Sequence, residues 1–185
     1  MDNLYVLKES GKGMNWGIDY LFLDELKKEF GIKDLKMKRI KSNKGLGRID
    51  RKINSYKSNW VFEEKETIYC MMKYYKNIGD LGKNKEILES KDKLKYLYKI
   101  RLFNGLFRSS DNILRNILVS DEKELISIDE GDIFGKRKLI FNKRGDCVKK
   151  NLDLELMKIC ISEIMENKER KIKIISKKLD DFGFE

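Results

Sequence analysis

Apolar residues recur along the chain in blocks, and the spacing within each block assigns it an element. Residues 4–7, Leu-Tyr-Val-Leu, form a short strand ending at Lys8, and residues 10–13, Ser-Gly-Lys-Gly, form a turn. Leu21, Phe22, Leu26 and Phe30 then recur at helical spacing, with Asp19 as the N-cap and Gly31 as the stop. Residues 36–41 alternate like an exposed strand, 43–47 are loop, and Trp60, Val61 and Phe62 form a connecting strand. Residues 63–77 read as a helix with Ile68, Met71, Met72 and Tyr75 on one face. Residues 86–106 are the strongest helix. Leu94, Leu97, Tyr98 and Leu102 line one side and Tyr96, Ile100 and Phe103 another, so it belongs in the middle of a core. A helix over 151–166 is capped by Asn151, with Leu154, Met157, Ile161 and Ile164 inward. Residues 168–179 are basic and carry Ile172, Ile174 and Ile175, as an amphipathic helix or a last strand. The tail from residue 180 is expected to be loose, with Phe182 and Phe184 able to dock.

Between these helices lies the stretch around which the chain is organised, FRSSDNILRNILVSDEKELISIDEGDIF over residues 107–134. Ile117, Leu118 and Val119 make one apolar run, Leu125, Ile126 and Ile128 another, and the polar residues 120–124 separate them as a hairpin loop. Pairing about that loop sets Val119 opposite Leu125 and Ile117 opposite Ser127, and it brings Asn116 beside Ile128, next to Asp129. An amide oxygen and a carboxylate at neighbouring strand ends suit a hard cation such as Mg²⁺, which prefers oxygen ligands and keeps few protein contacts. Asp111, five residues before Asn116, sits in the entering loop.

The chain has 185 residues, enough for one compact domain with a core, and 41% of them are hydrophobic, so it is expected to fold. No apolar run reaches membrane-spanning length and the amino terminus has no signal-peptide pattern. Cys70, Cys147 and Cys160 are odd in number and widely spaced, and histidine is absent. That composition argues against a zinc site or a disulfide framework and for a reducing, cytoplasmic setting. The formal charge of +10 favours polyanionic partners without choosing among nucleic acid, lipid headgroups and nucleotide phosphates. The densest basic stretch of the first half is 35–51, read as a solvated strand face or a phosphate-tracking surface.

Asp111-Asn112-Ile113-Leu114-Arg115-Asn116, followed by Ile128-Asp129-Glu130-Gly131, resembles the catalytic loop and D-x-G metal motif of the protein-kinase-like fold. The similarity is closest to phosphoinositide-kinase-like enzymes, and it rests on the two motifs, the apolar hairpin and the spacer together. It implies a reduced two-lobed α+β fold, with a nucleotide-binding lobe over 1–62 and a mainly helical catalytic lobe over 63–185. The implied activity is transfer of the ATP γ-phosphoryl group to a protein or lipid hydroxyl. Asn116 and Asp129 would then hold Mg²⁺, and Asp111 would position or deprotonate the acceptor. Lys8 would steady the nucleotide phosphates, with Asp19 or Glu25 as its acidic partner. Gly11 and Gly13 would cradle phosphate from a turn that follows the strand, where the family's glycine-rich loop precedes the lysine. Arg108 and Arg115 flank the proposed base. A nucleotide-binding pseudokinase or scaffold is the first alternative, and a basic nucleic-acid-binding protein the second.

Overall fold

Residues 67–73, Thr-Ile-Tyr-Cys-Met-Met-Lys, lead with β-branched and aromatic side chains that suit a pleated surface. A computed structural model describes residues 5–9, 16–42, 67–107, 109, 113–128 and 153–182, and it makes this segment the middle strand of an antiparallel sheet. In chain order the elements are β1 (Tyr5–Glu9), α1 (Trp16–Lys27), β2 (Lys38–Ser42), β3 (Thr67–Lys73), β4 (Asn77–Asp80), α2 (Lys91–Leu106), β5 (Ile117–Ser120), β6 (Leu125–Ser127), α3 (Leu154–Met165) and α4 (Lys168–Phe182). One sheet has the order β1-β3-β2 and the other β4-β5-β6, so the architecture is α+β.

The helix expected over 63–77 is therefore corrected: its described part is β3, a three-residue connection and the start of β4. Ile68, Met71, Met72 and Tyr75 fit a helical wheel, but pairing on both sides decides the outcome. Lys8 of β1 and Arg39 of β2 both register opposite Cys70. Cys70 and Met72 turn inward while Lys73 is exposed, which is a period of two. The first sheet thus takes its middle strand from beyond residue 62, where the two lobes were expected to divide. Residues 43–66, with the expected loop at 43–47 and the strand at 60–62, lie outside the described residues.

Helix α1 buries Phe22, Leu23 and Leu26 completely. It begins at Trp16, so Asp19 lies inside the helix and is not its N-cap. One tight turn over Lys28–Phe30 follows, and Gly31 stops it in the left-handed region at φ 66°, as its position predicts. Helix α2 buries Leu97, Tyr98, Ile100 and Phe103. Its start is at Lys91, because residues 85–89 wind as a separate tight turn. Phe22, Phe30, Phe103 and Phe107 meet at tilted or edge-to-face angles with centroids 5.0–6.2 Å apart. The same core takes Ile117, Val119 and Leu125 from the hairpin and Ile164 from α3, so α1 shares one apolar interior with the carboxyl-terminal elements.

Helix α3 is capped by Asp153, whose carboxylate accepts the Leu156 N–H at 2.9 Å, and not by Asn151, which lies outside the described residues. Its inward residues are Cys160 and Ile164. Leu154 and Ile161, expected inside, are exposed. Cys160 faces α2, its thiol 3.5 Å from the Lys95 carbonyl, and Glu163 on the same side pairs with Lys95 and Lys99, both at 2.5 Å. Helix α4 runs to Phe182, whose ring packs edge-on to Phe22 at 5.9 Å, so this part of the tail is docked. Lys171 donates to the carbonyls of Glu163 and Ile164 at 3.2 and 2.8 Å, capping the end of α3. Burial pulls the Lys171 amine below its usual range. Among the described residues no helix is long and apolar enough to cross a membrane.

Candidate functional site

The β5–β6 hairpin forms in the register its apolar pattern predicts: Ile117 opposite Ser127, Leu118 opposite Ile126, Val119 opposite Leu125. Its loop closes through Lys123 N–H to the Ser120 carbonyl at 2.9 Å and Glu124 N–H to Ser120 Oγ at 3.0 Å. Lys123 takes a left-handed φ of 59° there. Lys33, from the segment after α1, donates to the Glu124 carboxylate and holds it below the usual carboxylate range. At the open end, the Ile128 N–H donates to the Asn116 carbonyl at 2.8 Å. Asn116 closes a tight turn over Leu114–Asn116 whose buried Leu114 belongs to the core. The turn and the ladder together fix where residue 116 stands: half-buried, beside residue 128, at the hairpin mouth.

The other expected site residues are distributed as follows. Lys8 is in β1, opposite Cys70, and Asp19 is in α1. Gly11, Gly13, Arg108, Asp111 and Asp129 lie outside the described residues. Glu25, one of two acids expected to pair with Lys8, accepts from Lys178 of α4. Arg115 is exposed.

Two residues that no motif singled out join α1 to this hairpin. Lys27 is fully buried, and its amine donates to the Ser127 carbonyl, the last of β6, at 3.0 Å. Asp24, one turn back and 3% exposed, stands 3.8 Å from the same amine. Its carboxylate accepts the Leu35 N–H at 2.6 Å and the Met37 N–H at 2.9 Å, just ahead of β2. Burial raises the Asp24 carboxyl above its ordinary value, while Lys27 and the two backbone donors pull it down. The signal in the sequence was an Asp-x-x-Lys pair set among Leu23 and Leu26, charges on a face that the apolar spacing sends to the core.

Among the described residues no three His, Cys, Asp or Glu side chains gather as a metal site. The expected Mg²⁺ pair has different chemistry, one amide oxygen and one carboxylate. Of that pair only Asn116, beside Ile128, lies among the described residues. The chain matches no family model, no curated protein and no solved structure.

Proposed function

We propose that the chain is a kinase-like phosphotransferase, moving the ATP γ-phosphoryl group to a protein or lipid hydroxyl with Mg²⁺. The observation that carries this reading is the hydrogen bond from Ile128 N–H to the Asn116 carbonyl. It puts the last residue of D-x-x-x-x-N next to the residue before the D-x-G motif. Asn116 and Asp129 would hold the ion, which when bound neutralises charge on the transferring group. Asp111 orients the acceptor hydroxyl and takes its proton. Lys8 leads from β1 toward α1, the strand-then-helix order in which a phosphate lysine is met, with Gly11 and Gly13 between. Because Glu25 is engaged by Lys178, Asp19 is the acid proposed for Lys8. Cys70 and Cys160 are buried and not joined in a disulfide, in keeping with a reducing, cytoplasmic setting.

The test is labelled-phosphate transfer from ATP with Mg²⁺, beside a thermal-shift measurement of ATP binding. Asp111→Ala should abolish transfer and leave the ATP-dependent shift in place. Full transfer by that variant refutes the assignment of the base. A nucleotide shift with no turnover in the wild type would point to a binding-only relative of such enzymes. Salt-sensitive nucleic-acid binding with no nucleotide shift would point instead to the basic surface.

A further inference from the structure

We propose that the outer face of the first sheet binds single-stranded nucleic acid, with Tyr5 as the stacking platform for a base and Lys36, Lys38 and Lys73 meeting the phosphates. The alternation of β3 sets the face. Cys70 and Met72 turn inward, so Met71 and Lys73 turn outward. Residues directly paired across antiparallel strands share a face. Tyr5 of β1 registers opposite Lys73, and Lys38 of β2 opposite Met71, so both stand on the outer face with them. Tyr5 is 52% exposed, and Lys38 and Lys73 are exposed as well. The Lys73 N–H donates to the Leu35 carbonyl at 3.3 Å, which carries the pairing back past Lys38 and brings exposed Lys36 alongside. Just beyond Lys73, the Tyr75 ring has Lys73 Nζ 5.9 Å and Lys33 Nζ 5.0 Å from its centroid. Basic and aromatic residues that lie far apart in the sequence, at 5, 33–38 and 73–75, thus interleave once the three strands pair.

The charge on this face is available to a ligand. Among the described residues Lys33 is answered by Glu124 and Lys76 by Asp121, whereas Lys36, Lys38 and Lys73 form no ion pair. Asp34, half-buried beside Tyr75, offsets part of their charge, and the surplus stays positive on a chain of net charge +10. A line of phosphates complements that surplus. The exposed Tyr5 ring chooses among polyanions. An unpaired base offers it a flat π-face, while a duplex hides its bases in the stack and a lipid headgroup has no flat partner to give. Three strands side by side span about 10 Å, room for a few nucleotides. The proposal is separate from the phosphotransferase reading, since it uses neither the hairpin mouth nor ATP.

The experiment titrates labelled oligothymidylate and oligouridylate with the full chain, without ATP or Mg²⁺, and reads fluorescence anisotropy over a series of salt concentrations. Duplex DNA of the same length and phosphatidylserine vesicles run beside them. The single strands should bind, and more weakly as salt rises. Tyr5→Ala should weaken binding about tenfold, while Tyr5→Phe, which keeps the ring, binds as wild type does. Lys38→Gln/Lys73→Gln should make the slope of log affinity against log salt shallower by about 1.4, two phosphate contacts at about 0.7 each. These side chains are exposed, so every variant should melt as the wild type does. Tighter binding of oligouridylate would name RNA as the ligand, and tighter binding of oligothymidylate would name DNA. No binding of either single strand, wild-type affinity in Tyr5→Ala, or tighter binding of the duplex or the vesicles overturns the proposal and leaves the phosphotransferase reading untouched.

Discussion

Replacing Lys27 by Met removes one buried charge and keeps most of the apolar stem in place. What remains is Asp24, 3% exposed, without the cation that stood 3.8 Å away. Breaking a buried pair from one side typically costs about 3–5 kcal/mol, because the surviving charge is stranded. The Ser127 carbonyl also loses its donor, for about 1–3 kcal/mol on its own. The two losses overlap, and the backbone donors from Leu35 and Met37 still serve the carboxylate, so about 4 kcal/mol is expected. Against a total of roughly 5–15 kcal/mol, that is a large share of the stability. Urea unfolding at neutral pH reads it as a lower midpoint at unchanged slope. Adding Asp24→Asn should restore part of the loss, since the stranded charge is then gone.

The variant also carries a pH signature. Burial already raises the Asp24 carboxyl, with Asp34 adding to the rise and Lys27 opposing it. Without Lys27 the folded-state value climbs further above the unfolded one. The folded chain then binds the proton more readily than the unfolded chain, so stability is regained as pH falls toward that folded value. The deficit of Lys27→Met relative to wild type should therefore shrink between neutral pH and about pH 4. A loss below about 1 kcal/mol, or a deficit that grows as acid is added, refutes the reasoning.

Three further outcomes follow from the packing. Phe22→Ala empties a fully buried site that touches Phe107 and Phe182, and should cost about 4 kcal/mol in chemical denaturation. Gly31→Ala causes no clash, its nearest neighbour, Lys99 Nζ at 3.9 Å, being at ordinary van der Waals distance, so its cost is the left-handed backbone alone. That is about 1 kcal/mol, or a melting point lower by ~3 °C. Glu163 is held below its ordinary range by Lys95 first and then Lys99, so its contribution is present above the unfolded carboxylate value and lost as pH falls through the folded one. Glu163→Gln should flatten the acid limb of a melting-temperature profile; an unchanged acid limb would show that the pair with α2 carries no weight.

How much of this was legible in the sequence depended on whether local spacing and tertiary pairing agreed. The hairpin at 117–127 was readable because two apolar runs flank one polar loop, and only one register buries Ile117, Val119 and Leu125 together. Helix α2 was readable because its apolar residues cover more than one face, which only an interior helix can use. Gly31 was readable as a stop because glycine tolerates the left-handed turn that ends α1. β3 was not, because its neighbours arrive from residues 5–9 and 38–42 and nothing in its own spacing announces them. The inward face of α3 was misjudged for a similar reason: Leu154 and Ile161 match the helical period, but the side that meets α2 carries Cys160 and Glu163. Of the candidate site, the backbone placement of Asn116 beside Ile128 was foreseen. The buried Asp24–Lys27 pair was not, since charged residues in a lysine-rich chain carry little signal until their burial is known.

The placing of β3 also bears on how the chain is made. β1 and β2 each bond to β3 and not to each other. As the polypeptide leaves the ribosome, those two earlier strands emerge with their mutual neighbour still inside the exit tunnel. Each presents an unsatisfied edge until Thr67–Lys73 slots between them. Sheet closure is thus a late insertion across distant segments, not a progressive zipping. A product cut short before Thr67 would lack the whole first sheet, not merely its last strand.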